Sequence, residues 1–241
     1  MAHEQDPDAT GQYLQRLAAD GNIEGCRFLA EQAQLGTTIP AAAARAAAES
    51  CTLLASRPTL RGYWRLEAAK ILIRIDHSGG VDLCVRLAED EPIRSDWRLD
   101  AAEAAVNIAV GCGASVFSGL AGDPTMYASA RVYAALRVIR YDKEHAADLL
   151  VSLASNRGLS QESRVRAARS LVDLDPTRAA TVCTGLLESH TFPPYLRIAI
   201  LDLLTRLGDQ PTEDLHEVFV LDTQFEGGLL GRQTPRNPHD D

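Results

Sequence analysis

Arg65, Arg98, Arg131, Arg164 and Arg197 stand 33 residues apart, four intervals in succession without slippage. A fixed period of this length marks a repeat architecture, in which each unit buries its apolar surface only by stacking on its neighbours. With each arginine taken as position 0, positions +3 and +4 hold Ala68 and Ala69, Ala101 and Ala102, Ala134 and Ala135, Ala167 and Ala168, and finally Ile200 and Leu201. Position +1 is Leu66, Leu99, Val132, Val165 or Ile198, and position +7 is Leu72, Ala105, Val138, Leu171 or Leu204. Apolar residues one, three, four and seven steps along form one stripe of an α-helix. The small ones mark where a partner helix must come close.

A second stripe follows at +18 (Leu83, Val116, Leu149, Val182, Leu215), +22 (Leu87, Leu120, Leu153, Leu186, Phe219) and +23 (Ala88, Ala121, Ala154, Leu187, Val220). Turn-forming residues lie between the stripes, as at Asp76-His77-Ser78-Gly79 and Asp175-Pro176, and between copies, as at Asp90-Glu91-Pro92 and Asp123-Pro124. Proline and glycine stop a helix at both places, so the unit reads as helix A, turn, helix B, linker. Arg27 and Ala30 begin an earlier, diverged copy, displaced by five extra residues in a loop around 36–40, and its second helix is expected over Ala41–Ser56. Cys51, Cys84 and Cys183 then share position +19. Three segments result: residues 1–21, a tail with a capping helix over 10–20; residues 22–222, the repeats; and residues 223–241, a polar tail expected to be disordered.

Composition limits what such a chain can do. Aromatic residues make up 5% of the chain and hydrophobic residues 46%, which suits close-packed helices better than sheet. The net charge of −9 disfavours nucleic acid and anionic membranes as partners and favours cationic ones. The N-terminal residues lack the pattern of a signal peptide, and no stretch reads as a membrane span, so a cytoplasmic protein is expected. Five cysteines without a Cys-x-x-Cys pair indicate reduced thiols, with no disulfide framework and no zinc site. No phosphate-binding loop or nucleophile elbow appears, and no cofactor is expected.

An arginine followed by paired alanines, an apolar stripe, an acidic turn and a second helix resembles the HEAT repeat, especially the short bacterial form found in phycobilin lyases. The resemblance covers residues 22–222. It implies an all-α chain wound as a right-handed α-α superhelix, a HEAT-like solenoid of about six two-helix repeats. It also implies an Arg/Asp ladder, here pairing Arg65, Arg98, Arg131, Arg164 and Arg197 with the +11 aspartates Asp76, Asp142 and Asp175, and interrupted at Ala109 and Gly208. In such solenoids the second helices line the concave, binding face.

Positions +15, +17, +20, +21 and +24 are the expected residues of that face. They include Asp82, Arg86, Glu89, Ser115, Asp148, Ser152, Thr181, Thr184, Glu188, Asp214 and Glu217, and across the five copies they hold six acids and one base. The expectation is a shallow acidic groove that binds a protein or peptide of basic character, in a scaffold rather than an enzyme. The alternative is a HEAT-like DNA glycosylase or other nucleic-acid enzyme, for which Trp64 and Trp97, one residue before their arginines, would stack on a base. That reading needs a basic lining which the face lacks. Deoxyhypusine hydroxylase, another similar family, needs several His-Glu pairs for its irons, whereas His216-Glu217 is the one such pair beyond the N-terminal His3-Glu4. On helix A, Arg74, Arg140 and Arg206 at +9, with Arg137 and Arg169 nearby, read as a solvated basic face.

Overall fold

The computed structural model describes residues 23–34, 41–189 and 191–208. The expected capping helix, Asp214, Glu217 and the C-terminal tail lie outside the described residues. Among those described, every regular element is helical: α1 (Ile23–Gln34), α2 (Ala41–Ser56), α3 (Gly62–Ile75), α4 (His77–Glu89), α5 (Ser95–Ile108), a 3-10 turn (Val110–Cys112), α6 (Gly113–Gly122), α7 (Ala128–Val138), α8 (Lys143–Ser155), α9 (Gln161–Leu171), α10 (Pro176–Leu187) and α11 (Pro194–Leu207). Helix α2 spans the residues expected of the second helix of the displaced first copy. No helix among the described residues is long and apolar enough to cross a membrane.

The helix boundaries have local causes. Asp76 and Asp175 cap α4 and α10, accepting from the backbone N–H of Gly79 at 3.2 Å and of Arg178 at 3.0 Å, and Ser160 caps α9 in the same way through Ser163. Proline opens α10 and α11, where its missing N–H costs nothing. Gly208 ends α11 in the left-handed region, at φ 78°, a conformation glycine adopts freely.

The linkers share a turn that the stripes did not reveal. The N–H of Leu60, Ile93, Met126 and Leu159 each bonds the carbonyl three residues earlier, on Arg57, Asp90, Asp123 and Asn156. These residues and Phe192 stand five before their arginines; Ile93, Met126 and Phe192 are buried, and Leu60 and Leu159 are half-buried. Each linker therefore plugs the core with one apolar side chain.

The described residues form two compact units that meet in sequence at Asp142 and Lys143. In the first, α1 to α7 pack each on the next, and alternate helices also touch: α1 on α3, α3 on α5, α5 on α7, and α4 on α6. In the second, α8 to α11 do the same, with α8 on α10 and α9 on α11. The repeated alanines of helix A are fully buried at the contacts: Ala68, Ala69, Ala101, Ala102, Ala134, Ala135, Ala167 and Ala168.

Position +15 departs from the sequence reading. Gly80, Gly113, Ala146 and Ala179 were expected on the exposed face, and all four are buried. Positions +15, +19 and +22 lie four and then three residues apart, so they share one helical face with the buried Cys84, Phe117, Leu150 and Cys183 at +19. Close neighbours keep the residue small at two of these positions: a Cβ on Gly80 would come 2.3 Å from the backbone nitrogen of Ile73 in α3, and one on Gly113 would come 2.4 Å from the Tyr141 ring.

Candidate functional site

Four of the five arginines that set the period are tied into the framework in one way. The Nε–H of Arg65, Arg98, Arg131 and Arg164 donates to the carbonyl ten residues earlier, on Ala55, Ala88, Ala121 and Ala154, at 2.7, 2.7, 2.9 and 2.9 Å. Each of these carbonyls sits in the last turn of the preceding second helix, among the groups that lack an intrahelical partner and at the negative end of the helix dipole. Arg65 also reaches Asp90 at 2.6 Å, and Arg98 reaches Asp123 at 2.5 Å and the Thr125 hydroxyl at 3.0 Å. Arg164 instead stacks over Phe192, its guanidinium carbon 5.0 Å from the ring centroid.

The carboxylates that meet Arg65 and Arg98 are therefore the +25 residues Asp90 and Asp123. Two of the three +11 aspartates of the expected ladder have other roles. The Asp76 and Asp175 carboxylates cap the helices that they precede, which holds them close to their own backbone, and Asp142 is exposed ahead of α8. Position +25 is far from the arginine in sequence but directly follows the end of the second helix, beside the same guanidinium. Burial pushes the Asp123 carboxyl up, but hydrogen bonds from the Thr125 hydroxyl, Arg98 and the Thr125 N–H outweigh it and hold the group below the ordinary carboxylate range.

Away from the buried +15 positions, the polar residues named for the binding face are exposed wherever they are described. Asp82, Arg86 and Glu89 lie on α4, Ser115 on α6, Asp148 and Ser152 on α8, and Thr181 and Thr184 on α10, with Glu188 capping its end. In the first unit, a groove of about 350 Å³ is lined by Ala55, Ser56, Arg65, Arg86, Glu89 and Asp90, among others. In the second unit, a groove of about 720 Å³ lies along α10, its lining including Thr177, Ala180, Thr181, Thr184, Gly185 and Glu188.

Arg178 was absent from the sequence reading and alters the electrostatics of the second unit. It meets Asp175 at 3.0 Å through Nε and Asp148 at 2.8 Å through Nη1, and it also pairs with Glu144. Asp148, expected as a free docking carboxylate, is thus already engaged. Arg178 stands one residue before a position assigned to the face, so only its helical phase could have pointed to it.

No protein-family model matches the chain, and no curated protein or solved structure matches it significantly.

The other sequence candidates separate. Trp97 packs across a helix contact: a Cβ on Gly62 would lie 2.5 Å from its ring, and the Arg94 guanidinium covers it at 5.3 Å. Trp64 is 40% exposed and edge-on to Tyr63, with ring centroids 5.1 Å apart. On the helix A side, Arg137 is not simply solvated. Its Nε–H donates to Glu103 at 2.9 Å, and the Tyr133 hydroxyl donates to the same oxygen at 2.6 Å, so that α7 is tied to α5. Arg206 pairs with Asp202 at 3.2 Å, while Arg140 and Arg169 are exposed.

Cys84 and Cys183, two of the thiols at +19, are built for packing. Burial pushes Cys84 up to about 12, against a small opposing effect of Lys70, and pushes Cys183 up to about 11. Cys112 is only half-buried. Timed labelling of the native protein with iodoacetamide, read by peptide mass mapping, is expected to modify Cys112 well before Cys84 or Cys183. Equal rates at the three sites would contradict the packing role.

Proposed function

We propose that the chain is a non-catalytic scaffold, a right-handed superhelix of about six HEAT-like two-helix repeats, that binds a protein or peptide of basic character along the exposed face of its second helices. The observation that carries this reading is the groove along α10, where threonines and Gly185 leave room for another backbone. Around α8 and α10 the four carboxylates of Glu144, Asp148, Asp175 and Glu188 outnumber the two cations Lys143 and Arg178, and Glu188 lines the groove itself, so a cationic segment there meets net negative charge. The competing reading, an enzyme acting on nucleic acid, needs a cationic lining. Arg86 is the one cation among the expected face residues, and the Arg178 guanidinium is occupied by three carboxylates.

A binding assay with three probes tests the proposal: an arginine-rich peptide, an acidic peptide of equal length, and duplex DNA carrying a damaged base. The arginine-rich peptide is expected to bind best and to weaken as salt is raised. The double variant Asp148→Lys/Glu188→Lys is expected to weaken it about tenfold or more, roughly 1.4 kcal/mol, without loss of helicity by circular dichroism. Preference for the acidic peptide or for DNA, or binding that survives the double reversal, would remove this face as the docking surface.

A further inference from the structure

Cys26 on α1 and Cys51 on α2 are both fully buried, and both are free thiols. The two helices pack directly on each other, with Ala30, Ala43, Ala47 and Ala55 also fully buried. Alanines at these positions let the backbones approach, which short cysteine side chains need if their sulfurs are to meet. The Cys26 sulfur lies 3.8 Å from the Ala47 carbonyl, one helical turn before Cys51. The neighbouring Cys51 lowers the Cys26 pKa, while Cys26 together with burial raises that of Cys51. Cys26 is therefore the more acidic of the two thiols.

The first copy alone offers this arrangement. Cys26 stands one residue before Arg27, and the matching positions later in the chain are Trp64, Trp97, Ala130, Ser163 and Leu196. Cys84 and Cys183 share position +19 with Cys51 but have no cysteine opposite. They serve as internal controls.

We propose that Cys26 and Cys51 form a redox-responsive dithiol that closes to a disulfide in the presence of a peroxide. The Cys26 thiolate attacks one oxygen of hydrogen peroxide; the O–O bond breaks, and the departing hydroxide takes up the thiol proton and leaves as water. Cys26 becomes a sulfenic acid. The Cys51 sulfur then attacks the Cys26 sulfur, the S–O bond breaks, and hydroxide leaves with the Cys51 proton as a second water. Two thiols and one peroxide thus give one disulfide and two waters, with the sulfurs oxidised and the peroxide oxygens reduced. Because both sulfurs are shielded from solvent, the reaction is gated by local opening of α1 from α2. The product fastens those two helices covalently.

The test treats the full-length native chain with hydrogen peroxide, blocks residual thiols with an alkylating agent after unfolding, and maps the peptides by mass spectrometry. The expected product is a Cys26–Cys51 cross-linked peptide that is lost on reduction with dithiothreitol, together with a raised melting temperature of the oxidised protein. The variant Cys51→Ser is expected to leave a sulfenic acid on Cys26 that dimedone traps, with helicity checked by circular dichroism. Recovery of both thiols fully alkylated, oxidation confined to Cys112, or sulfinic acid at Cys26 in the wild-type chain without any cross-link would each overturn the proposal.

Discussion

Arg98→Ala is expected to destabilise the protein by about 3–5 kcal/mol, the range for removing one partner of a buried ion pair. Arg98 is 2% exposed and joins three places at once: the Ala88 carbonyl at the end of α4, the Asp123 carboxylate and the Thr125 hydroxyl. Alanine leaves the carbonyl and the carboxylate without the guanidinium and opens a gap where it lay. Arg131 offers a comparison. It is half-buried and holds the Ala121 carbonyl, so Arg131→Ala is expected to cost nearer 1 kcal/mol. Urea denaturation of both variants measures the difference, and an Arg98→Ala protein as stable as wild type would show that the buried arginine does not hold the linker. The loss also has a direction in pH. Asp123 is held below the ordinary carboxylate range when folded, so its contribution is complete above the unfolded-state value of about 3.9 and disappears as the pH falls through the folded one. The gap between wild type and Arg98→Ala is therefore expected to narrow in acid.

The second large effect is expected at Gly80. A methyl group there would stand 2.3 Å from the Ile73 nitrogen and 2.5 Å from its Cα, both backbone atoms of α3. Since only Asp76 separates α3 from α4, neither helix can withdraw without tearing the turn. Gly80→Ala is expected to cost about 3 kcal/mol, the upper part of the range for overpacking, even though alanine is the better helix former by about 1 kcal/mol. Gly119→Ala carries the opposite sign. Its Cβ would meet nothing within 4 Å, so only the helix preference remains, and a gain of about 0.5–1 kcal/mol is expected. If Gly80→Ala unfolded at the same urea concentration as wild type, the close crossing of α3 and α4 would be disproved.

Much of this architecture could be read from spacing alone, because the period repeats both the arginines and the buried alanines that flank them. The limits of α2 and the caps at Asp76 and Asp175 follow from local chemistry of the kind that short stretches of sequence express. Contacts made through space were less visible. The +11 aspartates attract attention by their regularity, yet capping uses the carboxylates of Asp76 and Asp175, and the residues that reach Arg65 and Arg98 come 25 positions after those arginines. The linker plugs at Leu60, Ile93, Met126, Leu159 and Phe192 are apolar in all five copies that keep the 33-residue spacing but lie outside the helical stripes. For the candidate face, exposure was legible except at the buried +15 row, and charge was less so, since Arg178 is brought to Asp148 by the packing of α10 on α8.

The fixed backward reach of the arginines has a consequence for how the chain is made. The carbonyls of Ala55, Ala88, Ala121 and Ala154 each obtain their guanidinium from a residue synthesised ten positions later. A nascent hairpin leaving the ribosome therefore carries an unfinished end until the first turns of its successor emerge, and that successor closes it while exposing an unfinished end of its own. Growth by this rule is vectorial, one hairpin at a time, and a ribosome stalled between two arginines would hold out a bare helix terminus for a chaperone to recognise.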